Sequence, residues 1–102
     1  MAILDATESD FDEVIQSEKT VLVDFWAAWC PPCKRLSPIL KELDEELEDF
    51  NVAKVNVDEH PELASRFGVM SMPTLIVFQD GLPVKKAVGF RHKEALTELI
   101  AR

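Results

Sequence analysis

Cysteine and histidine are scarce in this 102-residue sequence: it has two of each, Cys30 and Cys33, His60 and His92. That scarcity limits metal chemistry. Zinc needs about four ligands, so the cysteines would require two more, and both histidines lie in other polar segments without a partner at ligand spacing. There is no apolar run long enough to span a bilayer, and the apolar start Met1-Ala2-Ile3-Leu4 is stopped by Asp5 far short of an export signal. A basic stripe is missing too. The net charge is −8 and the basic residues fall in small, separate groups, which argues against a nucleic-acid partner. Prolines and glycines are scattered, with no repeat, linker or low-complexity tract, and 47% of residues are hydrophobic. These features exclude disorder and a membrane protein, and residues 1–102 read as a single domain with room for one core. The expected compartment is the cytoplasm, and the acidic surface favours a soluble monomer. In that compartment two cysteines signal catalysis or metal binding more than a structural staple.

What is present centres on Trp26-Ala27-Ala28-Trp29-Cys30-Pro31-Pro32-Cys33-Lys34, where an apolar run ends and a helical pattern begins. Three residues apart at a helix start, the two cysteines share a face one turn apart, within the ~4.4–6.8 Å Cα separation that a disulfide requires. Unpaired N–H groups and the positive end of the helix dipole favour an anion there, so Cys30, at the lip, should ionise more readily than an ordinary thiol. Pro31 and Pro32 donate no N–H, which leaves later amides such as that of Cys33 to face the sulfur. Lys34 and Arg35 add positive charge. Cys33, one turn in, is expected to be the more shielded sulfur and the resolving partner. The competing readings are half of a zinc site and an inert bridge, although a three-residue loop constrains the unfolded chain little.

Ile3-Leu4-Asp5 reads as a short first strand, and Thr7-Glu8-Ser9-Asp10 as a capping box opening a short helix with Phe11, Val14 and Ile15 inward. Thr20 to Ala27 has the pattern of a central strand covered on both faces. In the helix after the cysteines, Leu36, Ile39, Leu40, Leu43 and Leu47 mark the inner face. Lys41, Glu42, Asp44, Glu45, Glu46 and Glu48 mark a solvated one, and Pro38 should bend the helix. Asn51 to Val57 suggests a third strand, and His60-Pro61 a short helix closed by Gly68. Leu75 to Gln79, the turn Asp80-Gly81 and Val84 to Gly89 suggest a hairpin, followed by a last helix from about His92 to Ile100 with no good N-cap. The order βαβαβαββα implies an α/β fold with parallel pairing first, an antiparallel hairpin last, and helices on both faces of the sheet.

Asp24 is the most informative residue outside the cysteine pair. A carboxylate in the middle of an apolar strand is costly to bury charged, so its pKa should rise, and it would suit a proton shuttle for Cys33. The alternative is an aspartate at a strand edge, solvated or paired.

Val23-Asp24-Phe25-Trp26-Ala27-Ala28-Trp29-Cys30-Pro31-Pro32-Cys33-Lys34 resembles the active-site signature of the thioredoxin family, and Met70-Ser71-Met72-Pro73-Thr74-Leu75 resembles its second signature, at the family's separation. The likeness extends over essentially the whole chain. It implies a thioredoxin fold, a central mixed sheet with the reactive helix at the carboxyl end of the second strand. The implied activity is protein-disulfide reduction, with Cys30 attacking a partner's disulfide and Cys33 resolving the mixed disulfide with help from Asp24. Lys54 matches the lysine that such proteins place near this carboxylate, or else is an ordinary surface lysine. Pro73 matches the family's cis-proline, which turns the Met72 backbone outward to pair with an extended target segment; sequence physics alone would favour a trans proline opening a strand. Trp29 with Gly89 and Phe90 would complete an apolar docking surface, and Trp26 would be core. No bound cofactor and no metal are implied. The partners implied are disulfide-containing proteins and an external flavin- and NADPH-dependent thioredoxin reductase. The alternative functions are a disulfide oxidant or isomerase, and an interaction scaffold whose cysteines are incidental. Two departures stand out. Pro31 occupies the place where most of the family has glycine, which bears on the redox potential because Pro32 disfavours helical geometry in the residue before it. The W-C-P-P-C form also occurs in tryparedoxin- and nucleoredoxin-like relatives, which are longer chains. Phe90 stands where many members carry a small residue, which alters the expected groove.

Overall fold

The β-branched and aromatic run from Thr20 to Trp26 forms the strand around which a computed structural model, describing residues 3–101, is assembled. In chain order the elements are β1 (Leu4–Asp5), α1 (Phe11–Ile15), β2 (Thr20–Trp26), α2 (Pro31–Glu46), β3 (Phe50–Asn56), α3 (Pro61–Arg66), β4 (Thr74–Gln79), β5 (Leu82–Val88) and α4 (Lys93–Ile100). The strands form one sheet in the order β1-β3-β2-β4-β5. β1, β3 and β2 run parallel, and β4 and β5 join antiparallel.

Side chains alternate across a strand, so each face of β2 has its own core. Val21, Val23 and Phe25 pack with Phe11 and Ile15 of α1 and Leu63 of α3. Leu22 packs on the opposite face with Leu36, Leu40 and Leu43 of α2 and Leu96 and Ile100 of α4. Each fully buried leucine or phenylalanine contributes about 1.5–3 kcal/mol of hydrophobic stabilisation. The same alternation assigns Asp24 to the Leu22 face, the one that α2 covers. The parallel register sets Asp24 beside Lys54 on one side, and the antiparallel register sets it beside Leu75 on the other.

The local signals translate into structure with two corrections. Only half of the capping box forms: the Thr7 N–H donates to Asp10 Oδ1 at 2.6 Å, while Thr7 Oγ1 pairs with Ser9 Oγ. Residues 7–10 are therefore a turn, and the helix begins at Phe11. Asp44, expected on the solvated face of α2, is buried at 6% exposure. It stands one turn after Leu40 and three residues before Leu47, within the inward stripe that a period of 3.6 residues defines. α2 runs on through Pro38 to Glu46. Gly68, at φ +64°, closes α3: Val69 N–H bonds Ala64 O and Gly68 N–H bonds Ser65 O, the paired bonds of a Schellman stop. Asp80 and Gly81 both have positive φ, as a tight hairpin turn between β4 and β5 requires. α4 begins at Lys93, and its N-cap, His92, makes no side-chain cap bond, as the sequence implied.

Candidate active site

Cys30 is the N-cap of α2, with Pro31 and Pro32 in the first turn. Neither proline has an N–H to lose, so the first turn is built without wasting a donor. Cys30 and Cys33 are joined as a disulfide with Cα atoms 5.3 Å apart. The Cys33 N–H donates to Cys30 Sγ at 3.2 Å, the contact expected from a helix start whose earlier amides are missing. Met72 and Pro73 are joined by a cis peptide bond, and the Met72 carbonyl oxygen lies 3.5 Å from Cys30 Sγ. The Gly89 N–H donates to the Pro73 carbonyl at 2.7 Å, which fixes the end of β5 against this segment.

Solvent exposure does not separate the sulfurs in this oxidised state. Cys30 is 3% exposed and Cys33 4%, so the expectation of an open Cys30 and a shielded Cys33 is corrected. The Met72-Pro73 segment covers Cys30 from outside the helix. What distinguishes the two is the donor: the backbone N–H at the helix start points to Cys30.

Beneath the pair, Asp24 is fully buried, and neither carboxylate oxygen makes a hydrogen bond. Burial pushes its pKa from the ordinary 3.8 up to about 7, against a smaller lowering by the Lys54 ammonium. Lys54 is half-buried. Its Nζ donates to Ser37 Oγ at 3.1 Å and lies 5.1 Å from the centre of the Trp26 ring. It is therefore a half-buried cation held between Ser37 and the Trp26 ring rather than a freely solvated lysine. Trp26 is half-buried against the cysteine cluster.

Around the rim, Trp29 is 64% exposed, and its Nε1–H donates to Asp58 Oδ2 at 2.9 Å. Phe90 is half-buried, packed partly on the α2–α4 core, with the Arg35 guanidinium over its ring at 4.7 Å. Sequence reasoning missed Asp58, Ser37 and the Arg35–Phe90 stack. Only Ser37 left a signal, standing one helical turn after Cys33. Among the described residues no group of three or more His, Cys, Asp or Glu side chains is arranged to hold a metal ion.

The Thioredoxin family model matches residues 2–102. The chain belongs to the thioredoxin family. It is 52% identical over 101 residues to thioredoxin of Bacillus subtilis, covering 98% of this chain and 96% of that protein, and 53% identical over 103 residues to thioredoxin of Staphylococcus saprophyticus, covering 100% and 98%. Among solved structures, a mutant thioredoxin from Halobacterium salinarum superposes with a TM-score of 0.88 at 41% identity, covering 96% of this chain and 86% of that one. A chain from work on the thiol-resolving mechanism of yeast mitochondrial 1-Cys peroxiredoxin through glutathione/thioredoxin systems gives a TM-score of 0.89 at 32% identity, covering 97% and 93%. The fold is the thioredoxin fold, and the activity is thiol–disulfide exchange that reduces protein disulfides through a redox-active cysteine pair. No observation favours an oxidant, an isomerase or a redox-incidental scaffold in its place. No helix among the described residues is long and apolar enough to cross a membrane.

Proposed function

We propose that this thioredoxin-family protein acts as one domain over residues 1–102, as a cytoplasmic monomer, and that the roles within the site divide as follows. The Cys30 thiolate attacks one sulfur of a target disulfide; the other target sulfur leaves as a thiolate and takes up a proton. The Cys33 thiol then gives its proton to the Asp24 carboxylate, directly or through one water, and its thiolate displaces the target sulfur from Cys30. The target leaves as a dithiol, having gained two electrons, and this protein, having lost the same two, is left with Cys30 and Cys33 joined as a disulfide. A group titrating at about 7 is close to the working pH, where a general base is most effective.

The observation that carries this assignment is the Cys33 N–H donated to Cys30 Sγ at 3.2 Å, because a donor at a helix N-terminus stabilises negative charge on the sulfur it faces. Lys34 and Arg35 add to that field, and Lys54 holds Asp24 within reach of ionisation. The Met72 backbone beside cis Pro73 offers an extended target segment its hydrogen bonds, flanked by Trp29 on one side and Gly89 and Phe90 on the other. Electrons return from an external flavin- and NADPH-dependent thioredoxin reductase; no cofactor stays bound.

Insulin reduction with dithiothreitol or the reductase tests the reading. Activity is expected from the native chain, and Cys33→Ser should accumulate a mixed disulfide through Cys30. Accumulation through residue 33 in Cys30→Ser, with none in Cys33→Ser, would reverse the roles.

A further inference from the structure

The chain carries 19 acidic and 11 basic residues, so a cation on its surface has carboxylates in excess to choose from. Lys93 pairs with Glu42 and Glu46, and Arg66 with Asp12. Arg35 and Arg91, beside the active site, have no carboxylate within 4.0 Å among the described residues. Lys34, Lys41, Lys85 and Lys86 have no such pair among the described residues either, so what sets the rim of the active site apart is how its arginines are held. Arg35 is exposed on the first turns of α2, yet it is held in place by stacking on Phe90 at 4.7 Å. Arg91 Nη1 donates to the Phe90 carbonyl at 3.0 Å, and the His92 ring meets Phe90 edge-on at 5.0 Å. Phe90 is thus a platform that orders charge along one side of the site. The platform is tied to the chemistry by a short chain of contacts, from Gly89 N–H to Pro73 O at 2.7 Å and from the Met72 carbonyl to Cys30 Sγ at 3.5 Å. At Trp29 the ordered charge is instead a carboxylate, Asp58, whose Oδ2 accepts from the indole N–H.

We propose that Arg35, ordered by Phe90 and seconded by Arg91, is a specificity element that reads a carboxylate on the target polypeptide near the disulfide being reduced. A stacked guanidinium has already lost much of its side-chain freedom and still presents donors in a plane that matches a carboxylate, so pairing costs little further ordering. The whole-molecule charge of −8 repels acidic targets at long range, but that field is screened beyond about 8 Å at physiological salt, while a contact pair is not. The preference rests on the disulfide-reductase reading and adds the class of target to it.

The test uses two synthetic peptides with the same intramolecular disulfide, one flanked on each side by glutamates and the other by lysines. Single-turnover rates are measured with the prereduced full chain at about 0.15 M salt. The quantity of interest is the acidic-to-basic rate ratio in the native chain divided by that in Arg35→Glu. It should be on the order of ten or more, and Phe90→Leu, which removes the platform and keeps the charge, should lower the native ratio. A quotient within about twofold of one overturns the proposal, including the case in which both peptides slow by the same factor because Arg35 acts only on thiol ionisation. Equal reduction of both peptides by all three proteins leaves the reductase reading standing and removes the charge preference; reduction of neither overturns both.

Discussion

Asp24 and Lys54 are register partners on adjacent strands, yet the lysine's ammonium donates to Ser37 Oγ and the carboxylate oxygens accept nothing. The cation is close enough to lower the carboxylate's pKa and too distant to form an ion pair within 4.0 Å, so burial wins and the pKa stands at about 7. A fully paired Asp24 would be locked ionised and useless as a proton acceptor that must cycle.

Asp24→Asn should stabilise the oxidised protein in a pH-dependent way. The folded pKa lies above the unfolded one, so between about pH 4 and 7 the folded state holds a proton that the unfolded chain has lost. Native stability therefore falls as pH rises through that window and is flat above it. The pH-dependent gain of the variant should be near zero around pH 4 and approach roughly 4 kcal/mol above pH 7, from about three pKa units at 1.36 kcal/mol each. Urea midpoints of both proteins from pH 4 to 8 measure it; parallel curves would contradict a raised pKa. The same variant should resolve mixed disulfides more slowly, by about a hundredfold or more.

Lys54→Met removes the one influence that lowers the Asp24 pKa, so the carboxyl should titrate above its native value. Less carboxylate is then present at pH 7, and resolution of the mixed disulfide should slow several-fold there and recover at higher pH. Infrared titration of the buried carboxyl, with stopped-flow rates across the same range, distinguishes this from simple unfolding. An unchanged titration curve would remove Lys54 from the site.

Asp44→Leu should raise stability. The side chain lies in the leucine stripe of α2, 6% exposed, and its Oδ1 has no hydrogen-bond partner. Replacing an unsatisfied buried acceptor by an apolar group of similar size is expected to add about 1–2 kcal/mol at pH 7, with disulfide exchange unaffected. A loss of stability in a urea titration would mean that the carboxylate has a structural task of its own.

Pro31→Gly should destabilise the oxidised protein by about 0.5–1 kcal/mol, because proline at the start of a helix restricts the unfolded chain and gives up no hydrogen bond. Urea denaturation checks this, and equilibration with a glutathione buffer records the accompanying change in redox potential.

Patterning by itself determined much of this molecule. The continuous apolar, β-branched and aromatic run of Thr20–Trp26, the leucine stripe of α2 and the Asp80-Gly81 turn specify their elements locally, because hydrophobic patterning and backbone freedom act over a few residues. The cysteine pair at a helix start was legible for the same reason. The sheet order β1-β3-β2-β4-β5 was decided by the tertiary structure, since strand pairing depends on contacts between segments far apart in the chain. So was the fate of particular side chains. Nothing local distinguishes Lys54 from a surface lysine until β3 pairs with β2 and α2 brings Ser37 over it. Sequence separation likewise hid Arg35 on Phe90 and Trp29 on Asp58, whose partners meet only when the sheet and helices close. The chemistry of the sulfurs is written in a few consecutive residues; the protonation of Asp24 and the charge at the rim come from which distant groups the fold brings near and how much water it removes.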